Sequence, residues 1–198
     1  MNVEIRKLTP ELAEEYVNFF DTTPHDNKNP DHTCYCVNWC SVDQRARVGH
    51  PSRNERREMA IEYVKSGKLQ GYLAYMDNRI VGWCNANTKT ECLKCFGWTY
   101  FMPVVNQLEI NQHDKVKAIY CFVVAPEMQR KGIAKQLLKY VCEDAAKDGF
   151  DYLEAYPEKD VTVEYMHYAG FEKMYQDLGF NVYEDTGEKL VMRKQLKI

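Results

Sequence analysis

Three sets of residues have types and spacings that could do chemistry. Gln129-Arg130-Lys131-Gly132-Ile133-Ala134 stands where an apolar run gives way to an amphipathic stretch. The first turn of a helix leaves backbone N–H groups unpaired and carries a partial positive charge, so a phosphate placed there meets converging donors. Gly132 removes a side chain where an anion must approach the backbone, Ala134 keeps the next inward position small, and Arg130 and Lys131 add charge at the rim. The bland alternative is a helix start with two solvated basic residues, common for any isolated Gly-x-Ala. The second set is Cys34-x-Cys36-x-x-x-Cys40 with His25 and His32 nearby, and Cys92-x-x-Cys95 further on. These are zinc-ligand types, but Cys34 and Cys36 are too close for a chelate knuckle and Cys92/Cys95 lacks a second pair, so no metal is expected. The third is Tyr175-Gln176-Asp177-Leu178-Gly179-Phe180. Alone, Tyr175 reads as one packed aromatic among 14 tyrosines.

The elements that position these sets can be read from period and punctuation. Val3 to Lys7 reads as a strand. Thr9-Pro10-Glu11 then opens a helix whose apolar face is Leu12, Ala13, Tyr16, Val17 and Phe20. Residues 21–51 read as a long loop with one short helix near Trp39. Ser52-x-x-Glu55 is a capping box opening a second helix that Gly67 closes. Gly71 to Met76 and Arg79 to Ala86 make a hairpin about Asp77-Asn78. Residues 87–114 are ambiguous, though Met102 to Ile110 could hold a strand. Ala118 to Val124 is a strand buried on both faces, ended by Pro126. Ile133, Ala134, Leu137, Leu138, Val141, Cys142 and Ala145 form one helical stripe that stops at Gly149. A strand (Asp151 to Tyr156), a short helix (Phe171 to Leu178) and two strands (Phe180 to Glu184, Lys189 to Lys194) complete one mixed α/β domain over residues 1–198. A turn joining a buried strand to a long helix is the arrangement that places ligands at a sheet's carboxyl edge.

In this order the motifs resemble the GNAT superfamily of acetyl-CoA-dependent N-acetyltransferases. Residues 129–134 fit its Gln/Arg-x-x-Gly-x-Gly/Ala pyrophosphate loop, and 175–180 its Tyr-x-x-x-Gly-Phe signature. The resemblance implies an α/β (α+β) fold: about seven strands, mostly antiparallel, flanked by helices, with the fourth and fifth splayed. It implies acetyl-CoA as cosubstrate and direct transfer of acetyl to a primary amine, with no acyl-enzyme. Backbone N–H groups from Arg130 through Lys135, led by Gln129, would hold the pyrophosphate. The edge of Phe122, Val123 and Val124 would pair with the pantetheine arm, this strand parting from Leu153 to Ala155. The Phe122 N–H would polarise the thioester carbonyl and Tyr175 would protonate the leaving thiolate.

Two departures from the family pattern stand out. Ala118 occupies the place where many members carry a basic glutamate, leaving Glu109, His113, Asp114 or Glu154 as water-mediated substitutes. His167-Tyr168-Ala169-Gly170-Phe171 replaces a stretch that often supplies a cofactor-contacting asparagine. A catalytically weak acyl-CoA-binding or sensing module is therefore the alternative. Tyr35, Trp39 and Cys40 suggest that the cysteine loop forms an apolar, aromatic wall over the acceptor.

Composition bounds the rest. The chain has 198 residues, 26 Lys+Arg against 29 Asp+Glu, and a formal charge of -3. A chain this long can bury roughly 70% of its unfolded surface, so it needs no staple. Near-neutral charge offers no case for nucleic acid. The longest apolar run, Ala118 to Ala125, is far short of the ~20 residues of a membrane span. Glu4, Arg6, Lys7, Glu11, Glu14 and Glu15 leave no signal-peptide core, so reduced cysteines and a cytoplasmic location are expected. Cys84, Cys121 and Cys142 read as core residues. The partner expected is a small-molecule or peptide amine, and a homodimer is the assembly considered.

Overall fold

The computed structural model describes residues 2–23, 29–42, 51–102, 105, 114–159 and 168–196. The hydrophobic pattern that matters most is the run Val116–Val124 (β4), where every side chain but Val124 is buried. Such a strand must lie in the middle of a sheet with cover on both faces. Its neighbours are β3 (Arg79–Thr88), antiparallel, and β5 (Tyr152–Ala155), parallel. With β1 (Glu4–Lys7), β2 (Gly71–Met76), β6 (Asn181–Asp185) and β7 (Leu190–Gln195) they form one seven-stranded sheet, ordered β1-β2-β3-β4-β5-β7-β6. β4 and β5 are its parallel pair, and the other neighbours run antiparallel.

The β2–β3 hairpin turns on Asp77 and Asn78 at φ 49° and 60°, two left-handed residues as a two-residue turn of primed type requires. α1 (Ala13–Thr22) follows a 3-10 turn at Pro10–Leu12. Thr9 is extended but makes no side-chain cap bond, so the proline and acidic residues carry the start. α2 (Arg53–Lys65) opens with the expected reciprocal Ser52/Glu55 capping box. These two helices and the 3-10 turn Val37–Trp39 cover the sheet face on which Trp83 meets Tyr16 edge to face at 4.8 Å. α5 (Ile133–Lys147) lies across β2, β3 and β4 and buries Ile133, Leu137, Leu138, Val141, Cys142 and Ala145.

The sequence reading missed boundaries where polar residues are buried. β4 begins at Val116 rather than Ala118, because Lys117 is buried with its ammonium 3.3 Å from the Tyr72 hydroxyl and over the Phe150 ring. Its aliphatic stem packs while its head finds partners. β3 continues to Thr88, since buried Asn85 and Asn87 bond each other at 2.9 Å. Between β3 and β4 stand two short helices, α3 (Lys89–Cys92) and α4 (Phe96–Phe101), that no periodicity announced. Met102 caps α4 rather than opening a strand; within Met102 to Ile110, residues 103, 104 and 106–110 lie outside the described residues. α6 (Glu172–Gln176) is shorter than expected.

Candidate functional site

The site begins as an irregularity in pairing. Asn85 faces Cys121 and Ala86 faces Ile119, so Tyr120 is an extra residue in β4. A bulge of this kind bends its strand and re-aims a side chain. Parallel pairing with β5 stops at the same place: Ile119 pairs with Ala155, and β4 runs on alone to Val124. The two strands therefore fork at Tyr120, as the expected splay requires.

Beyond the fork the orientation of the peptide groups follows from alternation. The Ala125 N–H donates to Val81 O at 3.0 Å, toward β3. Backbone groups alternate sides along a strand, so those of Phe122 and Val124 face the edge that β5 has left. Val123 points at Trp83, its partner in register, and is committed to the sheet. Of these three residues, Phe122 and Val124 therefore present backbone groups to the open edge. Gln129 reaches back to this edge, its Nε2 donating to Val124 O at 3.4 Å.

The turn after β4 leads into an uncapped helix. Arg130 and Gly132 both have positive φ, 58° and 80°, which curls successive N–H groups toward one point. No side chain caps α5, and its first internal bond runs from Gln136 N to Gly132 O at 3.1 Å. The N–H groups of Ile133, Ala134 and Lys135 precede that bond and have no helical partner by construction. A Cβ on Gly132 would meet nothing within 4 Å, so its positive φ and the open space above it explain the glycine, and packing does not. Arg130 and Lys131 are exposed. Lys135 pairs with Asp177 at 2.8 Å, as does Lys173 at 2.5 Å. These bonds hold the Asp177 carboxyl down at about 2 and tie the start of α5 to the end of α6.

Tyr175 on α6 is fully buried, with Phe180 edge to face at 5.3 Å and the Cys84 and Cys121 thiols among the groups around it. Burial pushes its phenol well above the ordinary range, so it stays protonated. The hydroxyl donates to Ala169 O at 2.6 Å. Gly170 makes this approach feasible, since a Cβ there would stand 3.0 Å from the hydroxyl.

The substitute bases fare differently. Glu109 and His113 lie outside the described residues, as does His167. Asp114 precedes β4, roughly 25 Å down the strand from Phe122 at ~3.3 Å per residue, and is not at the fork. Glu154 pairs with Ala118 in register and is fully buried. Its carboxylate accepts from Lys89 Nζ at 2.5 Å, Tyr156 Oη at 2.7 Å and Arg193 Nε at 2.8 Å. Burial alone would raise its pKa, but Lys89, Tyr156 and Arg193 hold it below the ordinary value. It is a structural anion rather than a base, and the small side chain of Ala118 opposite accommodates it.

The cysteine loop packs into the core. Cys36 Sγ lies 3.4 Å from Cys121 Sγ and accepts from Trp83 Nε1 at 3.3 Å. All eight cysteines carry thiols, and none is in a disulfide. Among the described residues no cluster of three or more His, Cys, Asp or Glu could hold a metal ion; His25 is outside them. Tyr35 corrects the expected wall. It is buried on the α1–α2 seam, its hydroxyl donating to Asp21 Oδ1 at 2.5 Å. Trp39 stacks on Tyr120 at 4.3 Å and 11°. Behind it, Trp98 and Tyr156 complete an aromatic cluster over the fork. Sequence reasoning missed this cluster; its one signal was Tyr120, a hydroxyl inside an otherwise apolar run.

Comparison with known proteins places this geometry. A model of the acetyltransferase (GNAT) family matches residues 35–180. An acetyltransferase of the GNAT family from Streptococcus pneumoniae is similar in structure, with a TM-score of 0.55 at 16% identity, over 99% of this chain and 100% of that one. PaiA N-acetyltransferase from Thermoplasma acidophilum, solved in complex with coenzyme A, gives 0.54 at 16% over 98% and 99%. The ribosomal-protein-S18-alanine N-acetyltransferase of Escherichia coli gives 0.51 at 12% over 100% and 96%. No curated protein sequence matches significantly.

Proposed function

The chain belongs to the acetyltransferase (GNAT) family, and we propose that it moves acetyl from acetyl-CoA to a primary amine of a small molecule or peptide by direct attack, with no acyl-enzyme. The observation that carries this reading is the fork: a strand edge open at Phe122 and Val124, leading into a helix start with no side-chain cap. The coenzyme A complex of PaiA, which shares the fold, supports it. Acetyl-CoA, the cosubstrate of the family, supplies an acetyl group activated as a thioester.

In this proposal the N–H groups from Arg130 through Lys135 hold the pyrophosphate, with Gln129 steadying the turn from below. Phe122 and Val124 offer main-chain donors and acceptors to the pantetheine arm, as an edge strand does to an added strand. The Phe122 N–H is the donor aimed where negative charge develops on the acetyl oxygen. Tyr175 Oη, protonated at every working pH, gives its proton to the departing sulfur after releasing Ala169 O. Direct attack is supported by three thiols packed in the core: burial pushes those of Cys84 and Cys40 well up, and Cys121 rises with its Cys36 contact and burial, so none of these three is a ready nucleophile.

Titration calorimetry with acetyl-CoA, followed by CoA release with a panel of amines, tests the reading. Micromolar binding and amine-dependent release are expected. Absence of binding would overturn both this reading and the sensing alternative. Binding without release from any amine would favour the sensor.

A further inference from the structure

Among the described residues, two buried polar atoms beside the fork have no hydrogen-bond partner. The Tyr120 hydroxyl and the Trp98 indole N–H are 4% and 0% exposed as residues, and neither makes a hydrogen bond. The Cys92 thiol stands near the Tyr120 hydroxyl without hydrogen-bond geometry. Burying such groups unpaired costs stability, so their persistence calls for a reason. Both belong to the same cluster, with ring centroids 6.3 Å apart.

That cluster is connected to solvent by aromatic side chains. Tyr100 and Phe101 on α4 are 50% and 41% exposed. Phe101 meets Trp39 at 6.0 Å, and Trp39 stacks on Tyr120 at 4.3 Å. Exposed apolar rings that run without a break into a buried polar pair mark a ligand path rather than scattered surface residues. The inner end of the path is the bulge, two residues before the Phe122 N–H.

Resting on the acetyltransferase reading, we propose that Trp98 and Tyr120 bind the acceptor, and that the acceptor is an α-amino carbonyl compound with an apolar side chain, such as an amino-acid amide or peptide N-terminus. Indole N–H is a donor only and calls for an oxygen on the ligand; the phenol can bond either amine or carbonyl. The rings suit an apolar body. Among the described residues, Lys89 stands 5.6 Å from the Trp98 ring centroid, and Lys89 and Arg193 together face the one Glu154 carboxylate that they pair with. This balance favours a carbonyl oxygen and disfavours a second ammonium, which counts against diamines. An α-amine, with a reference pKa of ~8 against ~10.4 for a lysine-like amine, also loses its proton more easily. That suits a fork where Ala118 stands in place of a base.

The test uses the full chain, acetyl-CoA and three probes: L-phenylalaninamide, phenethylamine and 1,4-diaminobutane. The expected order of kcat/KM is that order, with phenylalaninamide at least tenfold above the diamine. Trp98→Phe and Tyr120→Phe should each raise KM for phenylalaninamide about five- to tenfold. Acetyl-CoA affinity should stay unchanged and melting temperature unchanged or higher, because each substitution removes an unpaired buried group. Unchanged KM with a raised melting temperature in both variants would make the two atoms mere frustrated core groups and overturn the proposal. So would equal use of the three amines, or use of none, while acetyl-CoA still binds. Loss of acetyl-CoA binding by the unmodified chain would instead overturn the acetyltransferase reading on which the proposal rests.

Discussion

In the proposed reading, the two sides of the fork recognise by different means. On the cofactor side the groups on offer are backbone: the edge of β4 past Ile119 and the start of α5 from Gly132. On the other side they are side chains, namely the stacked Trp39–Tyr120 pair with Trp98 and Tyr156 behind. Backbone recognition needs only a permissive sequence: a glycine, a small residue and the right chain path. Side-chain recognition needs particular rings delivered from distant elements, here a 3-10 turn, α4, β4 and the end of β5. One side can thus be shared across a family while the other is free to change its ligand.

Substitutions can break this contrast in turn. Tyr175→Phe should have the largest effect, lowering kcat about 10²-fold or more with acetyl-CoA affinity unchanged; an equal loss of both in stopped-assay kinetics and calorimetry would make it a packing residue. Glu154→Ala strands Lys89 and Arg193 in the core and should cost about 3–5 kcal/mol in urea unfolding. The carboxyl is held below its ordinary value, so the sign follows: its stabilisation is present above the unfolded pKa of ~4.3 and is lost as pH falls through the folded value. Stability of the parent should therefore drop in acid more steeply than that of Glu154→Gln, and parallel pH profiles would contradict this.

Gly132→Val should weaken acetyl-CoA binding about tenfold or more while costing only about 1–2 kcal/mol of stability, from strain at φ 80°. If binding persists, the helix start does not hold the anion. The smallest effect is expected from Lys135→Ala, since the pair with Asp177 sits in solvent. Affinity within threefold of the parent is the expected calorimetric outcome. A tenfold loss would show that the side-chain charge rivals the backbone in anion binding and would erase the contrast.

How much of this could be read from the chain differed between the two sides for the same reason. The long helix, the buried strand, the hairpin and the capping box are local patterns of period and cap, and each is present, with the strand ends displaced where polar residues are buried. The turn ahead of the long helix was legible because Gln129 to Ala134 is continuous. Tyr35 was misplaced because nothing local distinguishes a ring on the α1–α2 seam from one on the neighbouring wall. The helices α3 and α4 were missed because six residues or fewer cannot show a helical period, and their stability comes from packing.

The sequence by itself determined a mixed α/β fold of the acetyltransferase (GNAT) family with a glycine-bearing turn ahead of its long helix, because short-range residue patterns specify elements and motifs. Only the tertiary structure decided that Glu154 is locked by Lys89 and Arg193, and that the bulge turns Tyr120 toward Trp98. Those facts depend on contacts between residues far apart in the chain, through register and packing that no local pattern encodes.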